Sequence, residues 1–547
     1  MSCSKKTVDY IIIFLLFSLL SFVAFLAISP SRILQSSASE KVMEASNPLI
    51  RLLYPIKNEP VLSKIQFQYI DKHDPVYSKI FHNKVAKLSP LAREIVCTPH
   101  FQRLFKTCQL GNNMIAFEHA FGSRASHCKG VAKLSTTFAV LLAENSNIIL
   151  HPAEILAVQI AGLLHDVGHG PYSHVFESIA NRTMSPNSWD HETNSKGIVK
   201  YLFNKNDAWM AKYSLPADFV EAVCDMIVGI ERIQFQSKYN SSAVFKRFFV
   251  FTIVNAIHEH QLDADKMDYL MRDSYLTTKL EFCEALSSHV ENAILNAKVI
   301  NDAITFSAST SYDLYHIAKS YYLLYRYIYY SPRGCGADLL LKDAFEQIGP
   351  ALDVKDKLVC LEKFAKLTDS FIEDFASYAI MHRYSYPLAA ELFERFLNGQ
   401  MYDLGGYRDF FYHQSKDDKG NLTEIATGKL LAATPSSITS KDFIFKVFNL
   451  SFLFNKVKGT EAANPLQRIP FYGVSFLQNI FEPPLTYANG EFLFSHLPEL
   501  DLCGYDSAMH AVHFGSLQLR LYIRTLDPIK SEIIKNAFAT LSFEQPF

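Results

Sequence analysis

Three histidines, an aspartate and two glycines crowd the twelve residues LLHDVGHGPYSH, Leu163 to His174, at the end of an apolar run. Burying imidazoles there is costly unless something binds them. His165 and Asp166, side by side, can share one metal ion through an imidazole nitrogen and a carboxylate oxygen, but two ligands are not a site. His127 in SRASHCKGVAKLS and Asp265 in LDADKMDYLMRD bring the set to two nitrogens and two oxygens. That set suits one divalent first-row metal (Mn, Fe or Mg, with Zn as the alternative) and leaves positions open for water or a phosphate. A lone buried histidine is ordinarily a hydrogen-bonded core residue. The clustering of titratable groups is what points to function here.

The elements that must hold these residues are helical by pattern. Val131, Leu134, Phe138 and Leu141 recur at helical spacing after His127, as do Ile155, Leu156, Ile160, Leu163 and Leu164 before His165. The second helix is predicted to end at Gly168, leaving His165 and Asp166 in its last turn. FFVFTIVNAIHEHQLDADKMDYLMRDS, residues 248–274, reads as one long helix. Positions 265, 269, 272 and 273 lie along one stripe of a helix, so a metal-binding Asp265 would place Tyr269 and Asp273 further along the same pocket wall. Near the C-terminus, DFIFKVFNLSFLF and PLTYANGEFLF read as strands, the second with an Asn-Gly turn.

The whole is a chain of 547 residues with 53 basic and 55 acidic side chains, so nothing indicates a nucleic-acid-coating protein. Its nine cysteines are odd in number and never spaced as CxxC, which reads as reduced thiols rather than a disulfide scaffold. Residues 10–28, YIIIFLLFSLLSFVAFLAI, carry no charge over a length that spans a hydrocarbon core. We read them as a single membrane anchor rather than a cleaved signal, whose apolar stretch is usually shorter. The expected fold is mainly α: a helical catalytic core over 49–335 and a smaller α+β lobe over 336–547, preceded by one N-terminal transmembrane helix and a polar tether over 1–48. The expected location is the membrane, and Lys5, Lys6 and Arg32 weakly favour a cytosolic N-terminus.

The H…HD…D pattern resembles the HD-domain metal-dependent phosphohydrolases. HDVGHGPYSH is similar to the SAM-and-HD-domain deoxynucleoside triphosphate triphosphohydrolases among them. CTPHFQRLFKTCQLGN, SRASHCKGVA, SWDHE and LDADKMDYLMRDS resemble that family's segments in the same order, and the likeness runs from about residue 65 to 540, more weakly in the C-terminal half. The family's SAM domain has no counterpart; the anchor stands in its place. The resemblance implies His127, His165, Asp166 and Asp265 as metal ligands, and His169, His174 and His191 around the phosphates. It pairs His174 with Glu177, which helical i, i+3 spacing supports. It also implies Arg124 and Lys266 as phosphate contacts, Gln109, Tyr269 and Asp273 as sugar readers, and Tyr329 as a base-stacking ring.

The departures concern substrate and regulation. Tyr321 stands where the family has a phosphate-contacting arginine, and Tyr330 replaces a glutamine. Arg326 would restore the charge only if its helix rotated, and the tyrosines of SYYLLYRYIYYSPRG read as packing, with Tyr329 the exception. Cys97 and Phe105 occupy positions of an aspartate and an arginine that hold a guanine activator, while Gln102 remains; Arg520 and Arg524 match basic residues of the C-terminal lobe. The resemblance therefore implies a hydrolase of (deoxy)nucleoside triphosphates releasing nucleoside and triphosphate, assembled as a homo-oligomer. A phosphodiesterase on the same ligand set, or a silent nucleotide- or nucleic-acid-binding scaffold, are the alternatives.

Overall fold

A computed structural model describes residues 67–543 apart from 70–73, 75, 78–83, 118, 184–188, 349–353, 412–418, 454–468 and 473–514. All described residues fall in the unit Pro60–Phe547. The expected anchor at 10–28, its tether and the strand expected in PLTYANGEFLF lie outside them. Among the described residues no helix is long and apolar enough to cross a membrane. The expected membrane location is corrected on that finding, and no membrane partner is assigned.

The described chain is mainly helical, as expected. The helix Pro152–Leu164 starts on a capping box: the His151 imidazole accepts the Ala153 N–H, Glu154 accepts the His151 N–H, and Pro152 takes the first helical position. Every residue from Ala153 to Leu164 is buried. A helix apolar on all sides belongs at the centre of a core. Beside it runs Arg124–Asn145, capped by Ser123, whose hydroxyl accepts the Ser126 N–H. The two come close at Gly162, where a Cβ would stand 2.8 Å from Ser135 Oγ and 3.1 Å from Ala132.

The segment 248–274 is not one helix. It divides into Phe248–Phe251 and Ala264–Thr277. Buried Asp263 stops the first from continuing: its carboxylate accepts the N–H of Ala256 and of Lys266, both at 3.0 Å, so it caps the second helix while tying down the intervening turn. Gln261 is left-handed there, at φ 60°.

The C-terminal lobe is α+β. Its antiparallel sheet places Gly515–Ile523 between Asp403–Phe411 and Phe443–Ser451, the last being the strand expected in DFIFKVFNLSFLF. Side chains alternate across a strand. Phe443 and Phe445 face a core with Leu519 and Leu521 of the central strand, Leu422, Ala426 and Leu430 of the helix Lys419–Ala432, and Ile534 and Phe538 of the helix Pro528–Thr540. Lys446 and Phe448 therefore belong to the other face. The boundary expected at 335 falls within the helix Pro332–Ile348.

Candidate active site

The Nε2 atoms of His127 and His165 lie 3.2 Å apart. Asp265 Oδ1 is 3.1 and 3.3 Å from them, and Asp166 Oδ2 is 3.6 and 3.4 Å away. Around a first-row ion with bonds of roughly 2.0–2.2 Å, neighbouring ligand atoms stand about 2.8–3.6 Å apart, so these spacings fit one. The tautomers fit too. His127 Nδ1–H donates to Asp268 Oδ2 at 2.7 Å and His165 Nδ1–H donates to the Gly162 carbonyl at 2.9 Å. Both Nε2 lone pairs are thereby left for a cation. Burial pulls the His127 imidazole down, but the carboxylates of Asp265 and Asp268 outweigh it and raise it to about 10, a field that favours positive charge at this point.

Close packing aims these groups. A Cβ on Gly130 would collide with the Asp268 carboxylate and Arg272, so only glycine lets that helix approach close enough for Asp268 to reach His127. Helix Pro152–Leu164 stops four residues earlier than expected, and His165–Gly168 forms a turn. Gly168 lets this turn lie against the helix His191–Lys205, because a Cβ there would strike the His191 carbonyl and Ser195. Ser195 Oγ accepts the Gly168 N–H at 2.8 Å and donates to the His165 carbonyl at 2.7 Å. Buried Arg103 donates to the carbonyls of Val167, His169 and Leu367. Beyond the turn, Tyr172 and Ser173 are both left-handed, at φ 51° and 58°. Asp369 secures them by accepting the Tyr172 and Cys108 N–H groups at 2.8 and 2.7 Å. Strain of this kind is held where surrounding contacts determine it.

A cavity of about 610 Å³ opens beside the metal ligands. It is lined by His127, Asp166, Asp265, His169, His174, His191, Gln109, Arg124, Lys266, Tyr269, Asp273 and Tyr329. His165 stands just behind, and Glu177 reaches His191 Nδ1 at 3.3 Å. His174 Nδ1 is 3.9 Å from Glu177, so the carboxylate is shared by two imidazoles rather than dedicated to one. Hydrogen bonding to His174 and His191 draws Glu177 down to about 2. The His174 side chain is 79% exposed, whereas His169 is buried, stacked on His191 with centroids 3.9 Å apart and held neutral chiefly by burial. Arg124 bonds Asp166 and, at 2.6 Å, Ser173 Oγ. Lys266 is bonded to Asp263. Tyr329 OH donates to Asp273 Oδ2 at 2.9 Å, leaving Asp273 Oδ1 and Gln109 Oε1 buried without a hydrogen-bond partner.

The tyrosine-rich segment differs from its reading. Helix Ser311–Leu324 passes into a π-helical turn, Tyr325–Tyr329, whose extra residue turns successive side chains to a new face. Tyr325 and Tyr330 consequently line the cavity beside Tyr329. Arg326 does not restore the missing charge, because it pairs with Asp409 of the lobe at 2.8 Å. Arg520 bonds the Tyr330 carbonyl and Gln518, and Arg524 pairs with Asp343 at 2.8 Å, so both are already engaged. Cys97 is exposed and Phe105 is 43% exposed.

Sequence reasoning missed Asp268, whose 0% exposure makes it as central as any ligand, and Asp263. Their i+3 and i−2 places relative to Asp265 were visible in DADKMD, but nothing local distinguishes a ligand from its support. Asn112, Asp338 and Lys446 also line the cavity and carried no local signal.

Residues 124–302, which hold all four candidate ligands, match the HD domain family. The chain is 29% identical over 280 residues to the deoxynucleoside triphosphate triphosphohydrolase SAMHD1 homolog of Dictyostelium discoideum, covering 51% of this chain and 50% of that protein. It is 27% identical over 422 residues to deoxynucleoside triphosphate triphosphohydrolase SAMHD1 of Mus musculus, covering 70% and 61%. For the Homo sapiens protein of that name the figures are 26% over 415 residues, 71% and 63%. The chain thus spans between half and two thirds of these relatives' length. It is a protein with an HD domain, and it is homologous to the SAMHD1 triphosphohydrolases, with no SAM domain in the aligned region.

Proposed function

We propose that this chain is a metal-dependent hydrolase of deoxynucleoside triphosphates that releases nucleoside and triphosphate. The observation that carries the reading is the convergence of His127, His165, Asp166 and Asp265 on one point beside a cavity whose other groups, Gln109, Asp273 and Tyr329, suit a sugar and a base. A divalent first-row ion held by those four residues would supply Lewis acidity at a phosphoryl oxygen. Arg124 and Lys266 neutralise phosphate charge, each already oriented by a carboxylate, Asp166 and Asp263. Asp273 and Gln109 offer unpaired acceptors to sugar hydroxyls, and Tyr269 and Tyr329 close the apolar side. Water adds to the α-phosphorus, the bond from that phosphorus to O5′ breaks, and the nucleoside O5′ takes a proton. His174, exposed to the cavity and backed by Glu177, is the group placed to deliver it, with His169 and His191 packed beside it.

A phosphodiesterase reading stays open for one reason: Tyr321 stands where the resemblance expects an arginine on the phosphates. Product analysis of the metal-loaded full chain with a panel of dNTPs and NTPs decides between them. Triphosphate and nucleoside support the proposal, monophosphate supports a different cleavage, and no product leaves a binding scaffold. Sedimentation of the same sample tests the homo-oligomer that the resemblance implies.

A further inference from the structure

We infer that Asn112, Asp338 and Lys446 read the edge of the nucleobase and select guanine; this rests on the proposed nucleotide substrate. All three line the cavity that holds the candidate metal ligands. Lys446 comes from the C-terminal lobe, on the face of its strand turned away from that lobe's core. Its neighbour Phe448 packs on Tyr330 with centroids 4.7 Å apart, and Tyr330 lies 5.5 Å from Tyr325. These rings offer a flat, apolar surroundings for a base.

The polar groups have a definite pattern. Asn112 is 2% exposed and donates Nδ2–H to Asp338 Oδ1 at 2.7 Å, which leaves Asn112 Oδ1 buried with no hydrogen-bond partner. The subsite therefore presents two acceptors, the Asn112 carbonyl and the Asp338 carboxylate, and one cationic donor, Lys446. Two adjacent acceptors would repel a phosphate, so charge alone is not what this corner is built for. Guanine has the complementary edge, with donors at N1 and N2 and an acceptor at O6. Adenine and cytosine each present a single amino donor beside acceptors, and thymine a single N–H between two acceptors, so each leaves a buried acceptor unpaired. Sites that hydrogen-bond one partner discriminate most strongly against analogues that leave such groups unmatched.

The test measures kcat/KM of the metal-loaded full chain for dGTP, dATP, dCTP and dTTP, with equilibrium binding, in parallel, of the four analogues in which a methylene replaces O5′. Preference for guanine by about ten- to a hundredfold is expected in both. Asp338→Asn and Lys446→Met should each collapse that preference while affecting dTTP least. Lys446→Met, at a strand position outside the lobe's core, carries the test if Asp338→Asn fails to fold. Equal use and equal binding of all four bases would overturn the inference. So would variants that lower all four nucleotides alike, which is the signature of a phosphate contact. Selective binding without hydrolysis would uphold the base reading and sink the proposed reaction instead.

Discussion

His127 is clamped between two carboxylates one helical turn apart: its Nδ1–H donates to Asp268 Oδ2 at 2.7 Å, and its Nε2 faces Asp265 Oδ1 at 3.1 Å. Asp268 is in turn held by the Arg272 fork, with Nε and Nη2 both at 3.0 Å, and by Tyr77 OH at 2.5 Å. Loss of such a support typically weakens metal binding about 10–100-fold. Asp268→Asn should show that drop by metal titration while retaining its helix. Asp268→Ala should also unfold more easily, by roughly 3–5 kcal/mol, because the buried Arg272 loses its main partner. Wild-type metal affinity in Asp268→Asn would remove the carboxylate from any part in the site.

Removing a ligand is a harsher change. His165→Ala and Asp265→Ala should each lose both bound metal and hydrolysis, since each removes one of the four atoms that converge at this point. Elemental analysis of the purified variants checks this, and full occupancy in either one would refute the assignment.

His174 predicts the opposite pattern. It stands apart from the converging Nε2 pair and is exposed to the cavity. His174→Ala should keep its metal while turnover falls by about two to four powers of ten. If the metal leaves with the imidazole, His174 is a ligand.

Asp273 makes stability depend on pH. Burial, opposed only partly by the Tyr329 hydrogen bond, raises its carboxyl to about 6. An unfolded aspartate titrates near ~3.9. The folded state thus holds a proton that the unfolded chain releases, so this contribution is complete below about pH 4 and is lost as pH rises through 6. The difference amounts to roughly 3 kcal/mol. Asp273→Asn should flatten the fall of Tm between pH 4 and 6; an unchanged slope would show that the carboxyl titrates normally.

Regulation should be altered as well. The family resemblance places an aspartate and an arginine of a guanine-activator site where this chain has Cys97 and Phe105. A thiol is a weak acceptor and a phenyl ring offers no donor, so two charge-assisted contacts of roughly 1.5–3 kcal/mol each are missing. Arg520 and Arg524 cannot readily compensate, being bonded to Tyr330, Gln518 and Asp343. Turnover of dATP and sedimentation should be insensitive to added GTP. Strong activation coupled to assembly would show that the substituted pocket still binds guanine.

The helical core and the candidate ligand residues were legible in the sequence because both depend on local pattern. Apolar residues at helical spacing define the helices around His127 and His165, and HDVGHG concentrates imidazoles whose burial demands a partner. The single helix read over 248–274 failed because periodicity does not register that Asp263 caps one helix while binding the turn before it. Tertiary structure decided the rest. Asp268 meets His127 across 141 residues of chain, and only the missing side chain of Gly130 lets the two helices come near enough. Likewise, the π-helical turn chose which tyrosines face the cavity, and the register of the Phe443–Ser451 strand put Phe445 in the lobe's core and Lys446 at the cavity. Such choices are made by packing between segments distant in sequence, and a local pattern carries no information about the surface it will meet.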